Sequence, residues 1–173
     1  MSMEAILNKY VARLRGGEHF VSYLRKQGMV IGKGARIFSD ISTSESYLIH
    51  IGDHTTISNN VQFITHDASI QKAIPQASDL FGRIEIGNNC FIGARSIIMY
   101  GVTLPDNTIV AAGSVVTKSI SAKGQILGGN PAKIIGTMEE LAEKYKNFAI
   151  NISGLTAEEK KQALTNEKIL VKK

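Results

Sequence analysis

The chain contains no tryptophan, one cysteine and three prolines among its 173 residues, and aromatic residues make up 6% of it. A single thiol, Cys90, excludes an intramolecular disulfide framework. It falls at a small, inward position of the repeat described below, which reads as core filler rather than as a nucleophile. No apolar run approaches the roughly eighteen residues that a membrane helix requires, so no membrane span is expected. The opening residues, MSMEAILNKYVARLRGG, break up any apolar stretch with Glu4 and two arginines, so no secretory leader is expected and a cytoplasmic location is. The net charge is +5, yet the basic residues are scattered, with no arginine-rich or aromatic-interleaved patch. That distribution argues against nucleic acid as a partner. An anionic small ligand accounts for part of the excess more economically.

What the chain does have is a beat. From Ile86 to Thr117, IGNNCFIGARSIIMYGVTLPDNTIVAAGSVVT, an aliphatic residue falls at every sixth position: Ile86, Ile92, Ile98, Leu104, Val110 and Val116. Isoleucine, leucine and valine together fill 43 of 173 positions, so six consecutive hits have a chance of about one in four thousand per register. A helix repeats every 3.6 residues and a strand every two, and neither needs a period of six. A short strand followed by a sharp turn does. Three such units make one coil of a parallel β-solenoid, in which each aliphatic residue stacks on its equivalent one coil away. Small residues such as Ala94, Ser96, Gly113 and Ser114 let the corners close.

The same beat organises the rest of the chain. It begins at Ile31 and Ile37, slips by two residues between Thr43 and His50, and resumes at Ile51, Ile57 and Phe63. It then breaks from Asp67 to Arg83, an insertion of the kind that solenoids place on a binding face. Ahead of the beat, residues 4 to 14 put Ile6, Leu7, Tyr10, Val11 and Leu14 on one helical face, and a second short helix carries Phe20, Val21 and Leu24 as far as Gly28. These helices either cap the open end of the solenoid or recognise a substrate. After Ile135, Thr137 to Glu140 and Thr156 to Glu159 have capping-box spacing and predict helices over 137 to 148 and 157 to 170. These pack on the solenoid side or on a neighbouring subunit. The expected organisation is a helical cap over 1–28, a β-helix over 29–135 with the insertion at 67–83, and a helical extension over 136–173.

His66 stands where the regular coils give way to the insertion, in FITHDAS, and an imidazole is the side chain best suited to take a proton near neutral pH. The repeat, together with IGDHTTISNNVQFITHD, CFIG, AAGSVVTK and GGNPAK, resembles the hexapeptide-repeat acetyltransferases, in particular the branch acting on galactosides, antibiotics and polysaccharide sugars. The resemblance spans about residues 29 to 136. It implies an all-β fold, a left-handed parallel β-helix with short terminal helices. It also implies an acetyl-CoA-dependent O-acetyltransferase with His66 as general base, direct transfer to a sugar hydroxyl without a covalent enzyme intermediate, no metal, and a homotrimer with its sites between neighbouring solenoids.

Residue by residue, the resemblance puts Asn60 and Asp67 on the substrate side; Asp67 either orients His66 or is an ordinary loop residue. Phe91, Ala94, Ala112, Thr117, Lys118 and Lys133 fall on the coenzyme side. Two positions depart from the family pattern: Phe91 replaces a tryptophan, and Gly136 stands where many relatives have an arginine that meets the coenzyme's phosphate. Transfer to an antibiotic or to an amino sugar is the alternative within the class, and a purely structural or ligand-binding solenoid is the alternative outside it. A zinc-dependent γ-type carbonic anhydrase on the same scaffold needs three converging histidines, and His50, His54 and His66 are spaced to face different sides of an eighteen-residue coil.

Overall fold

The computed structural model describes residues 7, 10–14, 16–165 and 169–171. Thirteen of the fifteen strands build three sheets that serve as the faces of a prism. One face holds β1 (Val30–Ile31), β3 (Ile49–Ile51), β8 (Ile84–Ile86) and β11 (Thr103–Leu104), and will be called face A. Face B holds β2 (Arg36–Ile37), β4 (Thr56–Ile57), β9 (Phe91–Ile92), β12 (Ile109–Val110), β14 (Gln125–Gly129) and β15 (Ala132–Thr137). Face C holds β5 (Gln62–Phe63), β10 (Ile97–Ile98) and β13 (Val115–Val116). A fourth, antiparallel pair, β6 (His66–Asp67) with β7 (Leu80–Phe81), stands at the base of the insertion.

The register follows the sixfold beat. Ile31 pairs with Ile51, Ile51 with Ile86, and Ile86 with Leu104. Ile37, Ile57, Ile92, Val110 and Leu127 form the column of face B, and Phe63, Ile98 and Val116 that of face C. Each of these inward side chains is buried, and burying one fully is worth about 1.5–3 kcal/mol. The fourth residue after each aliphatic also points inward, and there buried hydroxyls tie the coils together. Thr55 Oγ1 donates to Gly87 O at 2.8 Å and accepts from the Cys90 backbone N–H at 3.0 Å, and Ser96 Oγ donates to Ala111 O at 3.1 Å. Cys90 occupies such a position, buried, with burial pushing its thiol pKa up, as core filler would be.

The corners explain two residue preferences. At Gly93 an added Cβ would meet the backbone N of Ala112 at 2.5 Å, so the adjacent coil leaves room for glycine alone. Two residues later the backbone turns left-handed: Asn60, Asn89, Arg95 and Asn107 have φ between 51° and 61°. Asparagine tolerates that conformation better than most residues.

The two-residue slip has a larger structural effect. The first coil has no strand on face C; residues 38 to 48 run irregularly over β5 and end in a 3₁₀ turn, Ser46–Leu48.

Helix α1 (Gly17–Lys26) buries Phe20, Val21 and Leu24 and packs against β1 and β2, consistent with the capping alternative. Arg25 holds it there by donating to the carbonyls of Ile31 and Gly32 at 3.0 and 2.9 Å, and Arg25 also pairs with Glu18. The preceding helical face differs from its expectation. Residues 10–14 are helical, but Leu7, Tyr10, Val11 and Leu14 are all exposed, and Ile6 lies outside the described residues.

The chain divides into two compact units, Met1–Gly136 and Thr137–Lys173. In the second, both capping boxes form: Thr137 and Glu140 start α2 (Met138–Tyr145), and Thr156 and Glu159 start α3 (Ala157–Leu164). Both helices are shorter than the capping signals alone predict. Residues 166–168 of the expected span lie outside the described residues.

Candidate active site

His66 opens β6, three residues after the end of β5 and just past Thr65, whose side chain is buried. Because the first coil lacks a strand on face C, the irregular stretch above β5 brings Glu45 to this corner. One carboxylate oxygen, Glu45 Oε2, accepts from Thr65 Oγ1 at 2.8 Å, from His66 Nδ1 at 3.0 Å and from Thr43 Oγ1 at 3.1 Å. The two threonine hydroxyls lie 2.7 Å apart. The Glu45 side chain is 14% exposed and that of His66 46%. The Thr65 hydroxyl, and after it His66 and Thr43, hold the Glu45 carboxyl below the usual glutamate range against the opposing effect of burial.

An ionised carboxylate only accepts hydrogen bonds, so the network assigns the hydrogen of the neutral ring to Nδ1. Nε2 then keeps its lone pair, and it has no partner among the described residues. Beside the ring runs a groove of about 460 Å³ lined by Ser42, Thr43, Ser44, Phe63 and Ile64.

The insertion rises from the same corner. His66 pairs with Phe81 across the antiparallel ribbon, and the two rings are 6.0 Å apart, tilted by 41°. Asp67 does not reach His66's nitrogen in this arrangement. Its carboxylate accepts from the Ser69 N–H at 2.8 Å, capping a 3₁₀ turn over Ala68–Lys72, and from the Tyr100 hydroxyl at 3.3 Å. Those bonds, the Ser69 one foremost, lower its pKa; burial, and then the charge of Asp67, raises that of Tyr100. Of the two alternatives for Asp67, anchoring the loop is the one the geometry supports. The group on the imidazole is Glu45, for which the sequence offered only the two-residue slip as a signal.

The remaining expected residues divide between two edges of face C. Asn60, Ala94 and Ala112 stack at the corner between faces B and C, where the Gly113 N–H donates to Ala94 O and the Arg95 N–H to Asn59 O. Asn60 is exposed and its backbone is left-handed, so the corner itself accounts for an asparagine there. Phe91 lies on the outside of face B, 45% exposed, and Lys133 is exposed on β15 of the same face. Thr117 and Lys118 lie at the other corner, directly after β13, one coil beyond Tyr100 and two coils from Thr65 and His66. Within one chain, His66, Thr117 and Lys118 lie along one corner, two coils apart; Asn60, Ala94 and Ala112 lie along the other, and Phe91 and Lys133 on face B.

A Cβ at Gly113, beside Ala94 and Ala112, would meet nothing within 4 Å, and Lys118 and Lys133 are exposed cations, one at a corner and one on face B, with no carboxylate partner among the described residues.

Known proteins share both the sequence and the fold. The family model for the hexapeptide repeat of succinyl-transferase matches residues 83–118. Protein CapG of Staphylococcus aureus is 46% identical over 150 residues, covering 83% of this chain and 86% of its own. A maltose O-acetyltransferase from Clostridium difficile 630 superposes with a TM-score of 0.58 at 26% identity, over 79% of this chain and 89% of that one. A hexapeptide-repeat acetyltransferase from Vibrio cholerae, solved with acetyl coenzyme A, superposes with a TM-score of 0.58 at 24% identity, over 77% and 84% of the two chains. With a repeat of this period, this register and these relatives, the chain belongs to the hexapeptide-repeat acetyltransferase family.

Proposed function

We propose that the protein is an acetyl-CoA-dependent O-acetyltransferase acting on a hydroxyl of a sugar, of the kind found in surface polysaccharides, on a left-handed coil. The observation that carries this reading is an imidazole held through Nδ1 with Nε2 free, beside an open groove, at the one corner where the solenoid is interrupted. Bound acetyl-CoA supplies the acetyl group already activated as a thioester. His66 Nε2 takes the proton from the acceptor hydroxyl as its oxygen bonds to the acetyl carbon, and returns it to the sulfur as the carbon–sulfur bond breaks. Gln71, whose amide closes the loop on Ser78 O at 2.6 Å, and Asp79 offer polar contacts suited to a polyol.

The solved sugar acetyltransferase among the structural relatives supports a carbohydrate acceptor, and the Vibrio cholerae complex supports the coenzyme. Two residue groups at opposite edges of face C support a site completed by a second copy, as in a homotrimer. His66 and Lys118 of one solenoid would then face Phe91, Ala94, Ala112 and Lys133 of its neighbour, with Asn60 near the acceptor.

Calorimetric titration with acetyl-CoA tests the coenzyme part: saturable binding that weakens in Lys133→Ala supports it, and no binding overturns it. His66→Ala that still transfers acetyl groups at the wild-type rate would overturn the base.

A further inference from the structure

We infer that Glu45 is the positioning residue of the His66 base, and that the irregular stretch from Thr43 to Leu48 serves to deliver it. This rests on the reading of His66 as the base. Three hydrogen-bonding groups converge on a single oxygen of Glu45, the His66 Nδ1 and the mutually bonded hydroxyls of Thr43 and buried Thr65. An exposed surface pair has no such arrangement, and it costs a regular strand on face C to make one.

Two consequences follow from the contacts. The carboxylate acts as an acceptor only, so it fixes the ring hydrogen on Nδ1, which is the less populated tautomer of a free histidine side chain. During transfer the acceptor's O–H bond breaks and an Nε2–H bond forms, while the Nδ1 hydrogen stays where it is. The positive charge on the ring then faces a fixed carboxylate already in place, and no proton passes to Glu45. Thr43 and Thr65 keep that carboxylate from rotating away.

Nitrogen-15 NMR of the imidazole tests this without any ligand, with the His66 signals assigned by their loss in His66→Ala. The expected spectrum of the neutral ring has a protonated Nδ1 and an unprotonated Nε2. In Glu45→Gln, whose side chain has nearly the same shape, the two tautomers should mix. A wild-type ring protonated on Nε2 overturns the inference. With acetyl-CoA and an acceptor from a panel including maltose and a nitrophenyl galactoside, Glu45→Gln should lower kcat about 10²-fold and leave the KM for acetyl-CoA within about twofold. If transfer depends on His66 but Glu45→Gln keeps wild-type kcat, Glu45 has no such role although the base stands. If His66→Ala retains full activity, the base itself is misassigned.

Discussion

Two histidine–glutamate pairs in this chain have the same contact and different surroundings. His66 Nδ1 meets Glu45 Oε2 at 3.0 Å, and His50 Nδ1 meets Glu85 Oε2 at 3.0 Å. The second pair joins β3 to β8 on the outside of face A, where strands are regular and side chains stand in rows. Glu85 is 37% exposed there, and its other neighbour is Arg83, 3.7 Å away. Glu45 is 14% exposed, is braced by two hydroxyls and lies beside a groove. On the proposed reading of His66 as the base, contact between a histidine and a carboxylate is therefore not enough to make one. The corner supplies an open space for an acceptor and a carboxylate that cannot turn away, and a flat sheet face supplies neither.

The comparison breaks most sharply at the rings themselves. His66→Ala should cut kcat by about 10²–10⁴-fold, the usual contribution of a general base, while His50→Ala leaves it unchanged. Steady-state assays on the two variants decide this, and equal losses would erase the distinction. Removing a brace should do less. Thr65→Val takes the buried hydroxyl from Glu45 and should lower kcat about tenfold and stability by about 1–2 kcal/mol, read from urea unfolding.

Acidity sharpens the contrast further. The folded pKa of Glu45 lies below the ordinary glutamate value of 4.5, so its contribution to stability is present above that pH and is lost as pH falls through the lower folded value. The stability difference between wild type and Glu45→Gln should therefore shrink when unfolding is measured below about pH 4.5 rather than at pH 7; a constant difference would contradict the shift. The smallest effect belongs to the outer pair. A double-mutant cycle on His50 and Glu85 should give a coupling within about 0–1 kcal/mol, as for other exposed pairs.

How much of this was legible beforehand depended on the range of the interaction. His66 could be singled out because a break in the beat is a local signal. Glu45 is separated from it by 21 residues, and only the stacking of the first coil over β5 closes that distance. Asp67, adjacent in sequence, points instead to Ser69 and Tyr100, because the antiparallel ribbon turns successive side chains to opposite sides. The division of Ala112 from Lys118 was equally hidden. Six residues apart, they sit on successive corners of one coil, and which corner each occupies follows from the three-sided register.

By itself, the sequence determined the repeating core. A side chain that recurs every sixth position must face inward if a short strand and a turn are the unit, and burial of those side chains supplies the driving force. It determined the caps of α2 and α3 for the same reason, since a capping box is closed by residues three apart. Only the tertiary structure decided which carboxylate meets His66 and which expected contacts share a corner. Those depend on how coils of 20, 35 and 18 residues come into register, between Ile31 and Ile51, between Ile51 and Ile86, and between Ile86 and Leu104. An insertion changes the distance along the chain without changing the stacking in space.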